Sequence, residues 1–185
     1  MKRKFKISRI FLITAMVALL LTMALACEKT MPTDDHTVTS VDLKRYVGKW
    51  YEIASLPAPF QEGCFCTTAE YSLEKDHVKV VNRCRRGSPQ GEVDEALGKA
   101  WPVEGSNNSR LKVSFFWPFK GDYWIIGLDQ DYQWAMVGHP QKKYLWILSR
   151  SPNMPTELYQ SLVSKAKSMG YDVARLKLMN QACYR

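Results

Sequence analysis

The sequence predicts an all-β domain: an eight-stranded antiparallel up-and-down barrel with one C-terminal α-helix packed outside it. Three observations carry this. Short alternating segments recur between turn signals built from Gly, Pro, Asp and Asn. Only one long stretch has helical period, and it comes late in the chain. The 185 residues include 6 Trp, 9 Tyr and 7 Phe, a composition suited to strands around a deep apolar interior. Closing eight such strands into a barrel removes the edge strands that an open sheet would expose.

The barrel domain opens with a short helical turn (Asp42, Leu43, Lys44, Arg45, Tyr46), then Gly48 and a strand from Trp50 with Trp50, Glu52 and Ala54 on one face. Pro57, Pro59 and Gly63 then interrupt regular structure. Residues 64–73 are a strand rich in Thr and aromatics. Residues 77–85 alternate, with Val78, Val80, Asn82 and Cys84 opposite Lys79, Arg83 and Arg85. Residues 93–101 form a strand with Ala96, Gly98 and Ala100 on one face. Residues 111–117 alternate Leu111, Val113 and Phe115 with Lys112 and Ser114. Pro118 and Gly121 turn the chain into residues 123–128, residues 129–131 turn tightly, and residues 132–138 and 144–150 complete the eight. A helix comes next, with Asn153 or Thr156 as its cap, Pro155 in its first turn and Gly170 at its end. Its stripe is Leu158, Leu162, Ala166 and Met169, flanked by Tyr159 and Val163. A short strand over 173–179 ends the fold.

The domain plan is a leader over 1–26, a tether over 27–40 and the barrel over 41–185. The formal charge of +8 misleads, because five of the 26 basic residues lie in 1–26, where there is no acid; 21 basic and 18 acidic residues remain, a net of +3. That is an ordinary exported domain, with no nucleic-acid partner indicated. Residues 2–9 are basic, 10–21 are apolar, and Met23, Ala24, Leu25 and Ala26 lead into Cys27. This is a secretory signal. Its last residues resemble a bacterial lipobox, with Ala24 where Leu is usual, so Cys27 is expected to carry lipid. A spanning segment over 10–27 is the alternative, at the lower limit of about 18 residues. By what is known of bacterial lipoproteins, Glu28 after the cysteine, rather than Asp, points to the outer membrane. The tether leaves the barrel near the membrane without fixing its orientation, its coil reaching roughly 20 Å.

Three stretches together resemble the lipocalins, in particular the bacterial lipocalins and their apolipoprotein D relatives: Gly48-Lys49-Trp50, the turn Asp129 to Ala135, and Leu145 to Arg150. The resemblance spans essentially 42–184. It implies that Arg150 packs over Trp50 and closes the barrel floor. It also implies a mouth at the loops after the first, third, fifth and seventh strands, bringing Phe60, Arg85, Arg86, Trp117, Phe119, Lys120, Lys142 and Lys143 to the rim. Alternation assigns Val78, Val80, Asn82, Val113 and Phe115 to the interior, with Trp124, Met136 and Trp146 as further candidates. The ligand set is therefore Val80, Asn82, Phe115, Trp124, Met136 and Trp146 in the lumen, with Arg85, Arg86 and Lys120 facing an anionic head group. The implied ligand is a fatty acid or a lysophospholipid, held or transported in the cell envelope. A second copy of the chain, as a homodimer, is a further candidate partner.

Besides Cys27, the chain has Cys64, Cys66, Cys84 and Cys183, an even number that suggests two disulfides. The apolipoprotein D resemblance implies Cys66–Cys183, leaving Cys64–Cys84; a Cys66–Cys84 pair across the hairpin is the alternative. No histidine is spaced to complete a zinc site with Cys64-Phe65-Cys66, so no metal or cofactor is expected. His36, His77 and His139 fall in the tether and in turns, and no hydrolase, zinc-peptidase or P-loop motif occurs. The chain thus reads as a binding protein. The alternatives are an envelope protein with a filled barrel that binds a partner at its rim, and an enzyme using Cys84 in the lumen.

Overall fold

The computed structural model describes residues 36–184, so the leader and Cys27 lie outside the described residues. A four-residue helix α1 (Leu43–Tyr46) precedes nine strands: β1 (Gly48–Ser55), β2 (Cys64–Leu73), β3 (Val78–Arg86), β4 (Val93–Pro102), β5 (Arg110–Phe116), β6 (Phe119–Leu128), β7 (Trp134–Gly138), β8 (Leu145–Ser149) and β9 (Lys177–Leu178). Helix α2 (Thr156–Ser168) lies between β8 and β9. Each of β1 to β7 pairs antiparallel with the next. β1 pairs with β2 over Gly48 to Tyr51 and with β8 over Tyr51 to Ser55, which closes the barrel. β9 adds to β1 at Ala54 and Ser55.

Several boundaries differ from the sequence reading, each for a local reason. β6 begins at Phe119 because Gly121 stands in the ladder opposite Val113 instead of ending the turn. β7 begins at Trp134 because the preceding turn is longer: the Asp129 carboxylate accepts the N–H groups of Asp131 and Gln133, and Tyr132 has φ 60°. Neither Asn153 nor Thr156 caps α2. Pro155 is the N-cap residue and supplies no side-chain bond. The expected strand over 173–179 is a 3-10 turn, Val173–Arg175, followed by the two residues of β9.

Two apolar clusters hold the fold. The inner one fills the lower barrel with Tyr46, Trp50, Tyr71, Val78, Val80, Ala100, Leu111, Ile125, Ala135, Val137 and Leu148. The outer one sits between the sheet and α2, where Leu162 and Ala166 pack with Ile53, Ala54, Ile126, Met136, Leu145 and Ile147. Consecutive residues such as Ile125 and Ile126, or Ile147 and Leu148, go to different clusters. Both faces of β7, of β8 and of residues 125–127 of β6 are therefore buried. Residues 36–185 form a compact unit by themselves, with both clusters and both disulfides, Cys64–Cys84 and Cys66–Cys183. This unit has what it needs to fold without residues 1–35.

Candidate functional site: the barrel lumen and its mouth

The floor is built first. Asp42 starts α1 by accepting the Lys44 N–H at 2.9 Å. Gly48 then takes φ +94°, a region costly for other residues, and a Cβ there would stand 3.3 Å from Arg150 Nη1. The Arg150 guanidinium lies 3.7 Å from the Trp50 ring centroid. Its Nη2 donates to the carbonyls of Arg45, Tyr46 and Val47, its Nη1 to Lys49 and its Nε to Tyr132. Trp50 is fully buried and donates its indole N–H to the Tyr46 carbonyl at 2.8 Å. One side chain thus ties α1, β1 and the turn before β7 across the closed end.

Above the floor, the hydroxyls of Tyr46 and Tyr71 bond that of Tyr123 at 2.7 and 2.9 Å. Burial pushes the Tyr71 phenol up to about 12 and raises Tyr46 and Tyr123 well above their usual values, so all three stay neutral hydrogen-bonding groups. Around them Val78, Val80, Ala100, Leu111 and Val113 leave a cavity of about 10 Å³. That is about the room one water needs, so the lower lumen is filled by side chains.

A polar step lies higher. Glu52 is 2% exposed. Its Oε2 accepts from Gln61 Nε2 at 2.7 Å, and Gln61 Oε1 accepts the Trp146 indole N–H at 2.9 Å. Glu52 Oε1 has no partner among the described residues, nor has Asn82 Oδ1, on the same inward face as Val78 and Val80. Burial pushes the Glu52 carboxyl up, while hydrogen bonds from Ser55 and Gln61 hold it back. Toward the mouth, Trp146 stacks on Tyr144 at 5.7 Å, and Tyr144 meets Phe60 at the same distance. On the opposite wall Ala96, paired with Asn82, faces inward and is yet exposed, which marks an open upper lumen. Gly98 beside it has no Cβ to fend off the Phe115 ring, which would stand only 2.8 Å from one.

The expected site residues divide accordingly. Val80, Asn82 and Trp146 share the lumen, and Phe115 lies at its mouth, 42% exposed. Met136 does not face the lumen: it packs under α2 in the outer cluster. Trp124 also faces outward, against that cluster and beneath the Arg110 guanidinium, while its neighbours Tyr123 and Ile125 point in. Lys120 turns to the outer wall, 4.6 Å from the Trp101 ring centroid and 5.5 Å from that of Trp117. Arg86 is paired with Asp94 and donates to the Glu62 carbonyl, and Arg85 donates to the Gly91 carbonyl. The expected cationic head-group rim is thus tied into the loops rather than turned to the lumen. Gln61 joins the site without warning from the sequence, because nothing in its loop signals that it folds back onto Glu52. All four described cysteines are in disulfides, so Cys84 offers no thiol for an enzyme.

The family profile described as a lipocalin-like domain matches residues 41–181. The chain is 40% identical over 153 residues to the outer membrane lipoprotein Blc of Vibrio cholerae, covering 82% of this chain and 89% of that protein. It is 40% identical over 150 residues to temperature-induced lipocalin-1 of Arabidopsis thaliana, covering 76% and 80%. Against mouse apolipoprotein D it is 33% identical over 151 residues, covering 76% and 77%. Among solved structures, insecticyanin from the tobacco hornworm Manduca sexta superposes with a TM-score of 0.65 at 22% identity, covering 80% of this chain and 86% of that one. Apocrustacyanin C2 gives 0.62 at 20%, covering 76% and 80%. These two likenesses show the shared barrel fold, and the closer relatives and the family profile settle the rest: the chain belongs to the lipocalin family.

Proposed function

We propose that this lipocalin binds an acyl lipid, a fatty acid or a lysophospholipid, and holds or transports it in the cell envelope, tethered to the outer membrane through lipid on Cys27. The observation that carries the reading is the lumen itself. Its floor is sealed by Arg150 and Trp50, its walls are apolar, and two acceptor oxygens, on Glu52 and Asn82, stand partnerless below an open mouth. Apolar walls with a few convergent polar groups suit a ligand with a hydrocarbon chain and one polar end. A hydroxyl or protonated carboxyl would supply the donors those oxygens lack. The names of the bacterial relatives support the envelope location.

The test is a fluorescence titration of the chain from residue 28 with lysophospholipid and with fatty acid, read in the tryptophan emission beside a Trp146→Phe variant that isolates the lumen's share. Saturable quenching or shift, abolished by Ala96→Phe in the open upper lumen, supports the proposal. No response to either lipid overturns it. The filled lower lumen and the exposed aromatics at the mouth favour a second reading, a barrel that binds a partner at its rim. That reading requires the null titration.

A further inference from the structure

The β5–β6 hairpin carries the largest group of exposed apolar side chains in the described domain. Phe116 is 77% exposed, Trp117 73% and Phe119 72%. All three are consecutive apart from Pro118, and all stand at the mouth. Exposed aromatics grouped in this way mark an interaction surface. The outer wall beside them is a groove of about 530 Å³ whose lining includes Leu97, Trp101 and Trp117 with Lys79 and Lys99. Lys120 lies over both tryptophan rings. Glu74, at the far end, is the acid among the groove residues. The neighbouring acids are engaged: Asp122 by Lys112, and Glu70 and Glu95 by Arg83.

We propose that the β5–β6 tip and this groove form the face by which the barrel docks on an anionic lipid bilayer. Phe116, Trp117 and Phe119 enter the interfacial zone, and Lys79, Lys99 and Lys120 meet the head groups. Tryptophan and phenylalanine beside lysine are the side chains that suit this zone, because each has an apolar body or a charge that reaches water. Docking there sets the mouth against the membrane, so an acyl chain can pass between bilayer and lumen without crossing water.

The chain outside the barrel has the reach for this. It enters the domain beside β6, where the Val38 N–H donates to the Ile125 carbonyl. From Ile125 to Phe119 β6 spans about 20 Å. The nine residues 27–35 have a contour length of at most about 30 Å. That length is enough for a lipid on Cys27 to enter the same membrane that the tip touches. This last step rests on the lipidation proposed above; the docking face does not.

The experiment uses unlipidated protein, residues 28–185, empty of ligand, sedimented with phosphatidylcholine vesicles with and without about 30% phosphatidylglycerol. The expected result is binding to the anionic vesicles that weakens with salt. The triple variant Phe116→Ser, Trp117→Ser, Phe119→Ser is expected to lose at least about tenfold in partitioning. The triple variant Lys79→Gln, Lys99→Gln, Lys120→Gln is expected to lose roughly 100-fold. Far-ultraviolet circular dichroism checks that each variant is folded. Wild-type protein that leaves both vesicle types unbound overturns the proposal, as does a tip variant that binds like wild type. Vesicle binding without acyl-lipid titration overturns the carrier reading and leaves the docking face standing; the converse overturns the docking face alone.

Discussion

Replacing Arg150 tests how much of the barrel's stability depends on closure of its floor. Arg150→Ala removes a guanidinium 3.7 Å from the Trp50 centroid and the donors to five carbonyls, those of Arg45, Tyr46, Val47, Lys49 and Tyr132. Because the side chain is only half-buried, the stacking contribution is set at about 1 kcal/mol. The carbonyls are near the surface and regain water, so their lost charge-assisted bonds are set at about 2 kcal/mol together rather than per bond. The sum, about 3 kcal/mol, lowers Tm by roughly 6–12 °C for a domain of this size. Arg150→Lys keeps the charge but not the planar fork, and is expected to cost about half as much. Denaturant unfolding with the disulfides intact, followed by circular dichroism, measures both. A loss under about 0.5 kcal/mol for Arg150→Ala would show that the closure is incidental to stability.

Other perturbations address single features. Gly48→Ala meets both φ +94° and the nearby Arg150 Nη1, and should cost about 1–2 kcal/mol in the same unfolding assay. Removing Cys66–Cys183, which closes 117 residues, should destabilise by about 5 kcal/mol in the chain-entropy picture. Removing Cys64–Cys84, which closes 20, should cost about 3 kcal/mol, so the order of the two variants in denaturant is the observable. Burial raises the Glu52 carboxyl above its value in the unfolded chain, so its contribution is full below the unfolded pKa and is lost as pH rises through the folded one. Glu52→Gln should remove that decline, and its stability relative to wild type should grow from about pH 4.5 upward. An unchanged difference across that range would place Glu52 in contact with water.

The barrel is legible in the sequence where one face of a strand is buried and the other wet. β3 is the clearest case, with Val78, Val80 and Asn82 facing the lumen and Lys79, Arg83 and Arg85 facing out. It is illegible where both faces are dry. In β7 the run Trp134 to Gly138 is apolar throughout, because Ala135 and Val137 face the lumen while Met136 faces α2. Alternation then has no polar marker to set its phase. A register shift between Ile125 and Gly127 in β6 hides the phase further, so alternation does not place Trp124 on its true, outward face. The contact of Arg150 with Trp50 spans 100 residues of sequence and no local pattern encodes it; only resemblance to the lipocalins brings the pair together. The bond from Gln61 to Glu52 has neither signal. The loop plan puts Lys120 at the rim, whereas the strand continues through it and turns it to the outer wall.

The lumen as a carrier of acyl lipid stands or falls on native mass spectrometry, with lipid extraction, of the unlipidated chain from residue 28, exported to the bacterial periplasm behind a cleavable leader that leaves no cysteine to lipidate. One acyl lipid per barrel is expected to co-purify, and to be displaced by added lysophospholipid or fatty acid. A protein that emerges empty and takes up neither lipid contradicts the carrier reading.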